Sequence, residues 1–435
     1  MSLIKVLMAI VLLASASKLP PYESELELHA SEILSPAQLH SEDHDVRETV
    51  TNDGFLNHYV VETPFGEFGA EGNRTLTNRV QEAHALAELD RVSNTDLFID
   101  AAQRAVMAPV QAVGRFVDEP VETVKGIPGG ISRKFRSIGR AVKGGAQDVK
   151  EEYDESKSED ESESEGESEL EDENESVGES EPEDESDSKS KTYALKWFGV
   201  TGSERRWAQK LGVDPYSSNT VLRERMSAVA KVDAAASFGA KLAMPSLGAV
   251  GYVVTASNLV WNLDGEELRA YNLKQLVAGG ISEESINEFL DNPVFSPTQQ
   301  TLIVQAMVEL KDVEGLGKVL SLPDWVETET EAWFYAETIV LMSRFHKSVR
   351  PARAIVGDGL VPALITANDE LIYIVPVDFL TWNETLAVLL QGPMVAGISG
   401  VEGDRELWLN GKATEMASAG LSSMGWSIKT GISLD

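Results

Sequence analysis

The sequence contains no cysteine and only six histidines among its 435 residues. The absence of cysteine excludes disulfide bonds, cysteine nucleophiles and thiolate-bound zinc or iron–sulfur centres. A fold without disulfides must be stabilised by its hydrophobic core. His40 and His44 stand four residues apart among acidic residues, but two histidines do not complete a metal site. We therefore expect no metal and no other cofactor.

Several motifs that mark enzyme classes are also missing. The chain has no His-Glu-x-x-His, no Gly-x-Ser-x-Gly, no Gly-x-x-x-x-Gly-Lys and no calcium-binding loop. These absences favour a non-catalytic protein, and no catalytic residue can be named from the sequence. A hydrolase that uses Asp or Glu stays open as an alternative, because the fold, not a motif, sets the distance between catalytic carboxylates.

Long hydrophobic runs are absent as well. The run Val6–Leu13 is far shorter than the roughly 20 residues that span a bilayer. Lys5 precedes it and Ala14-Ser-Ala16 follows it, which is the pattern of a secretory signal peptide. We predict that residues 1–16 are a signal peptide and that the protein is exported to a bacterial periplasm or secreted. An N-terminal anchor helix is the alternative.

Negative charge is what the sequence has in excess. The net charge is −34, and residues 151–191 contribute −18 of it through 21 acidic and three basic residues. So few apolar side chains cannot offset the cost of ordering the backbone, roughly 1–2 kcal/mol per residue. We predict that residues 151–191 form a disordered acidic linker. The overall acidity argues against nucleic acid as a partner.

The segment before the acidic linker is basic. After the break at Pro128-Gly-Gly130, apolar residues recur at helical spacing, and no acidic residue lies between Lys125 and Lys143. The predicted surface-binding residues are Lys125, Arg133, Lys134, Phe135, Arg136, Arg140 and Lys143. A basic amphipathic helix is typical of a segment on an anionic membrane surface, and an acidic protein is the alternative partner. Two other interpretations are that the helix docks on its own domain, or that the acidic linker folds back and masks it.

The remaining segments predict the fold class. Residues 17–56 lack a sustained period and are expected to be mostly disordered, whereas residues 57–150 read as a helical module that ends in the basic helix. Residues 192–435 contain dense helix signals, such as the cap Ser296-Pro-Thr-Gln299, followed by β-rich segments from Val361. The sequence therefore predicts an α+β fold that is predominantly α-helical. It would have two ordered regions separated by the acidic linker and a small β-sheet near the C-terminus.

These observations favour an exported, non-catalytic interaction protein or envelope-associated protein. One alternative is a hydrolase of cell-envelope material that uses Asp or Glu in the C-terminal domain. The other is a carbohydrate- or peptide-binding module, because all eight tryptophans lie in residues 192–435. A pocket with two facing carboxylates would favour the hydrolase, and an exposed tryptophan platform would favour the binding module.

Overall fold

The computed structural model describes a large part of the chain. The described residues are 19–104, 197, 199–236, 253–321, 326–357, 361–392, 394–395, 398, 401 and 403–432. They form thirteen α-helices and twelve β-strands. No helix among them is long and apolar enough to cross a bilayer. The predicted signal peptide, basic helix and acidic linker all lie outside the described residues.

Five antiparallel strands form a sheet near the N-terminus, in the order β1-β3-β4-β2, with β5 also paired to β4. The strands are β1 (Leu26–His29), β2 (Asp45–Val46), β3 (Thr49–Asn52), β4 (Asn57–Thr63) and β5 (Gly66–Glu71). Two short helices, α1 (Ala30–Ile33) and α2 (Pro36–Leu39), connect β1 to β2. Buried and exposed side chains alternate along β3, so the sheet has one core-facing side.

This N-terminal sheet corrects the predicted fold class. The chain is not predominantly helical with β structure confined to a small C-terminal sheet, since three sheets are present. Strands β1 to β3 also lie inside residues 19–56, where the sequence predicts mostly disorder. The strands were missed because they are two to four residues long and polar on their exposed side. Val46 and Val50 are buried only through tertiary packing, which local periodicity does not register.

Helices from both sides of the acidic linker pack together, and one of them, α3 (Gly72–Ser93), lies on this sheet. Helix α3 follows β5, and α4 (Asp96–Arg104) follows α3. Helices α5 (Gly202–Leu211) and α6 (Thr220–Ala236) come after the linker, and α6 packs on both α3 and α4. Leu86, Phe98 and Leu222 belong to one buried hydrophobic cluster. The described segments before and after the linker therefore share a core.

A helical layer occupies the middle of the chain. Its helices are α7 (Val253–Asn262), α8 (Gly265–Ala278), α9 (Glu283–Leu290), α10 (Pro297–Glu309) and α11 (Glu329–Ser348), with a 3-10 helix at Leu316–Leu320. Helix α10 packs against α7, α8 and α11. The capping box predicted at Ser296 and Gln299 is confirmed, because the Ser296 side chain accepts from the Gln299 backbone and the Gln299 side chain accepts from Ser296.

The C-terminal sheet has the strand order β12-β10-β8-β7-β6. Its strands are β6 (Ala352–Val356), β7 (Ala363–Thr366), β8 (Leu371–Val375), β10 (Arg405–Leu409) and β12 (Trp426–Lys429). Strands β8, β10 and β12 are parallel and are connected through α12 (Glu384–Gln391) and α13 (Glu415–Ser423). A separate parallel pair is formed by β9 (Phe379–Leu380) and β11 (Lys412–Ala413). All five residues of β8 are buried, as expected for a covered parallel strand.

Asp378 connects the N-terminal sheet to the C-terminal region. Its carboxylate accepts hydrogen bonds from the backbone N–H of Asn57 at 3.0 Å and of Asn73 at 3.1 Å. Asn73 lies in the first turn of α3, where backbone N–H groups have no partner within the helix. The backbone N–H of Asp378 donates to the carbonyl of Phe55 at 3.0 Å. One buried side chain thus caps α3 and fixes the start of β4.

Trp382 forms a second connection. The indole is fully buried, and its Nε1 donates to the carbonyl of Pro20 at 2.9 Å. Its backbone N–H donates to Glu23 at 2.6 Å, and the Thr414 hydroxyl donates to the same carboxylate oxygen. The indole ring packs directly on Gly420 of α13, where a side chain would overlap with it. The first described residues are therefore held against the C-terminal region.

Candidate functional site

Two cavities of similar size lie beside helix α3. The first, which we name the aromatic pocket, has a volume of about 330 Å³. It lies between α3, the turn at residues 212–218, the loop before α10 and the start of α11. The second, which we name the carboxyl pocket, has a volume of about 320 Å³ and lies between the start of α3, α11 and the loop that carries Asp378. Trp333 lines both.

The turn between α5 and α6 places Asp214 in the wall of the aromatic pocket. Asp214 Oδ1 accepts from the backbone N–H of Tyr216 at 2.9 Å, which closes an Asx turn. The same oxygen accepts from the hydroxyl of Thr298 at 2.7 Å, so the first turn of α10 holds the carboxylate in place. Asn219 ends the turn, and its side-chain oxygen accepts from the Leu222 backbone N–H at 3.2 Å, which caps α6.

The environment of Asp214 favours its neutral form. Burial raises the pKa of Asp214 to about 6, against the hydrogen bonds from Thr298 and Tyr216, and the charges of Glu82 and Glu329 raise it further. The residue nevertheless keeps an intermediate exposure. Because Asp214 lines the aromatic pocket, part of its accessible surface faces that pocket.

Arg79 organises the other carboxylates at the pocket. It donates to Glu82 at 2.8 Å and to Glu329 at 3.1 Å, and so joins α3 to the start of α11. Glu82 also accepts from the Ser217 hydroxyl at 2.5 Å, and Glu329 accepts from the Ser218 hydroxyl at 2.5 Å. Each of these carboxylates therefore has a charged partner and a hydroxyl partner.

Three aromatic side chains wall the aromatic pocket. Trp197 and Tyr216 meet edge to face with their ring centroids 6.4 Å apart. Trp333 stands on α11, and the guanidinium of Arg74 lies 4.3 Å from the centroid of one of its rings. Trp197 and Trp333 are only 3% and 6% exposed. They form the wall of a pocket and not the exposed platform expected for a carbohydrate-binding surface.

Two buried polar atoms beside the aromatic pocket make no hydrogen bond with the part of the chain that the structure describes. They are the hydroxyl of Tyr216 and the Nε2 amide of Gln299, which belong to residues that are 2% and 1% exposed. An unsatisfied buried donor costs about 1–3 kcal/mol. Such atoms are rare in native structures, and an ordered water, an ion or a functional role commonly accounts for them.

The carboxyl pocket brings together Glu71, Glu337 and Asp378. Burial raises the pKa of Glu71 and of Glu337, the latter against the opposing charge of Arg74, whose guanidinium lies 3.2 Å from its carboxylate. Burial also raises the pKa of Asp378 to about 7, against the two backbone hydrogen bonds from Asn57 and Asn73. Within the described residues, no cluster of three or more His, Asp or Glu side chains is arranged to hold a metal ion.

Sequence reasoning missed both pockets. The turn around Asp214 and the cap of α10 are visible as separate signals, but 84 residues separate Asp214 from Thr298. The predicted surface-binding residues Lys125, Arg133, Lys134, Phe135, Arg136, Arg140 and Lys143 lie outside the described residues.

Comparison of the chain with protein family models, with curated proteins and with solved structures found no match. A functional proposal must therefore rest on the geometry and chemistry of the pockets themselves.

Proposed function

We propose that this protein is a non-catalytic binding protein and that the aromatic pocket is its ligand site. A volume of about 330 Å³ falls within the range of small-molecule pockets, which begins near 300 Å³. The single observation that carries the proposal is the enclosure of one partly accessible carboxyl group, Asp214, by three aromatic walls. Apolar walls with a few converging polar groups are the usual composition of a ligand site.

The arrangement of hydroxyl groups supports binding over catalysis. Ser217 and Ser218 donate to carboxylates that already bind Arg79, and no histidine among the described residues lines the aromatic pocket. An activated serine nucleophile needs a base that is free to take its proton. Carboxylates held by a guanidinium are poor bases, so this pocket lacks an activated nucleophile.

The proposal is tested by filling the pocket. A panel of small polar metabolites is screened against the whole protein by thermal shift and by tryptophan fluorescence, since Trp197 and Trp333 would report a ligand. Val294 is half-buried in the pocket wall, and Val294→Phe should abolish every binding signal. Val277→Phe is the matched control because Val277 is 60% exposed on α8 and does not line the pocket. Binding that survives Val294→Phe would place the ligand elsewhere.

Hydrolysis at the carboxyl pocket is the second candidate function. Its support is that Glu337 and Asp378 line one cavity and both have raised pKa values, as a general acid requires. The support is weaker because Asp378 already accepts two backbone N–H groups and Glu337 binds Arg74. The test is release of soluble fragments from cell-envelope polymers. Activity that Glu337→Gln removes without loss of folding would favour the hydrolase.

We also retain the proposal that the basic helix contacts an anionic surface, which rests on sequence alone. The experiment should use the whole protein, because Leu86 and Phe98 share a buried cluster with residues after the linker and a shorter fragment would expose them. Co-sedimentation with anionic vesicles is expected to exceed co-sedimentation with neutral vesicles. Replacing Arg133, Arg136 and Arg140 by Glu should remove the difference, and an unchanged difference would exclude this role for the segment.

A further inference from the structure

We propose that the aromatic pocket binds an organic monocation, namely an ammonium or guanidinium group. The group could belong to a small free amine or to a lysine or arginine side chain of a peptide. This inference rests on the proposed binding function and adds the chemical class of the ligand.

The charge of the pocket wall is one argument for a cation. In the part of the chain that the structure describes, the charged residues that line the pocket are Glu82, Asp214, Glu327 and Glu329, and no lysine, arginine or histidine lines it. Arg79 lies behind the wall and balances one charge by its bonds to Glu82 and Glu329. Even without Glu327, the three carboxylates outnumber Arg79, and this net negative charge would repel an anionic ligand and attract a cationic one.

Asp214 supplies a specific acceptor for the cation. Its two side-chain hydrogen bonds, from Tyr216 and Thr298, both end on Oδ1. Among the described residues no donor reaches Oδ2, and the side chain keeps accessible surface. An N–H of an ammonium or guanidinium group would donate a hydrogen bond to this carboxylate oxygen.

The aromatic walls suit the same ligand. A cation within about 6 Å of an aromatic ring is attracted by the negative face of the ring, and tryptophan is the strongest partner. The guanidinium of Arg74 already lies 4.3 Å from the centroid of a Trp333 ring, so this ring contacts a cationic group within the folded protein. Trp197 and Tyr216 provide further aromatic wall around the carboxyl group.

Gln299 provides an independent indication that a ligand enters here. Its Nε2 amide is a donor in a residue that is 1% exposed, and it has no acceptor within the described residues. The Tyr216 hydroxyl is in the same condition. Both atoms have almost no accessible surface, so a ligand that carries an acceptor such as a carbonyl or hydroxyl beside its cationic group would satisfy them after a small rearrangement of their side chains. A lysine that is acylated on its α-amino group, or an amino alcohol, carries both a cation and an acceptor.

The ionisation of Asp214 makes binding dependent on pH. The nearby charged groups are Glu82 of α3 and Glu329 of α11, which raise its pKa, Arg79, which binds both of them, and Glu327 in the same pocket wall. Thr298 of α10 and the Tyr216 backbone donate hydrogen bonds to Asp214. Because burial raises the pKa of Asp214 to about 6, its carboxylate is mostly neutral at pH 5 and mostly ionised at pH 7.5. Affinity for a cation should therefore rise by roughly tenfold across this interval.

The experiment measures the affinity of the whole protein for four probes by calorimetric titration. N-acetyl-lysine methylamide and ethanolamine represent the peptide and free-amine sources, and N-acetyl-norleucine methylamide and ethylene glycol are their neutral counterparts. Asp214→Asn removes the charge but keeps an oxygen for Thr298 and Tyr216, and it should weaken binding of the cations at least tenfold. Glu309→Gln is the matched control, since Glu309 lies on α10 with a 48% exposed side chain outside the pocket wall.

The outcomes separate the two levels of the proposal. Tight binding of either cationic probe, lost in Asp214→Asn and weaker at pH 5, supports the inference, and the better probe identifies the source. Equal binding of cationic and neutral probes overturns the cation inference and leaves the proposed binding function standing. A failure of all four probes and of the metabolite panel overturns both.

Discussion

Gly420 offers a direct test of how the C-terminal region is packed. It lies inside α13, where alanine is normally preferred over glycine by up to about 1 kcal/mol. A Cβ atom at Gly420 would, however, overlap with three ring carbons of the fully buried Trp382. Overpacking of this kind typically costs about 1–3 kcal/mol. We expect Gly420→Ala to destabilise the protein by about 2 kcal/mol, since the overlap exceeds the helix preference.

Urea denaturation followed by tryptophan fluorescence measures this change, and a fall in Tm of roughly 3 °C should accompany it. Gly317→Ala is the matched control, because Gly317 is also helical and its Cβ would meet Ile281 at 3.9 Å, an ordinary contact. The control should equal or exceed the parent protein in stability. In a double-mutant cycle with Trp382→Phe, the double mutant should lose less stability than the sum of the two single-mutant losses. Additive costs, or a Gly420→Ala variant as stable as the parent, would refute the packing argument.

Two further predictions concern buried charges. Since the folded protein raises the pKa of Asp378 from 3.8 to about 7, this group stabilises the fold below pH 4 and loses that contribution as the pH rises through 7. The full difference is about 4 kcal/mol, of which about 3 kcal/mol falls between pH 5 and 8, so denaturation at these two pH values should show the parent losing about 3 kcal/mol more stability than Asp378→Asn. Arg79→Gln leaves Glu82 and Glu329 without their charged partner and should cost about 3 kcal/mol or more by the same assay. Arg47→Gln, at an exposed ion pair, should cost less than 1 kcal/mol.

Local signals in the sequence predict individual elements well. The capping box at Ser296 and Gln299 marks the start of α10, and Asn219 caps α6. The turn at Asn368-Asp369 joins antiparallel strands β7 and β8, and Asp369 has the positive φ of 59° that such a turn favours. These features depend on neighbours within a few residues, so a single sequence contains them.

The features that were missed depend on distant neighbours. Val46 and Val50 sit in strands too short to show a period, and their burial comes from packing on the sheet and α3. The aromatic pocket is formed where α3, the Asp214 turn, α10 and α11 meet, and no local pattern records that meeting. The proposed ligand site was hardest to predict because the side chains that line it are ordinary Asp, Glu and Trp residues.

The connection made by Trp382 has a consequence for the order in which the protein folds. Its hydrogen bond to Pro20 spans 362 residues, and the hydrogen bond that the Asn57 backbone N–H donates to Asp378 spans 321. Contacts of such sequence separation form slowly. The N-terminal strands can therefore complete their contacts only after nearly all of the chain has been made. Until then the five N-terminal strands can pair with one another, but Pro20, Glu23 and Asn57 have not yet met Trp382 and Asp378.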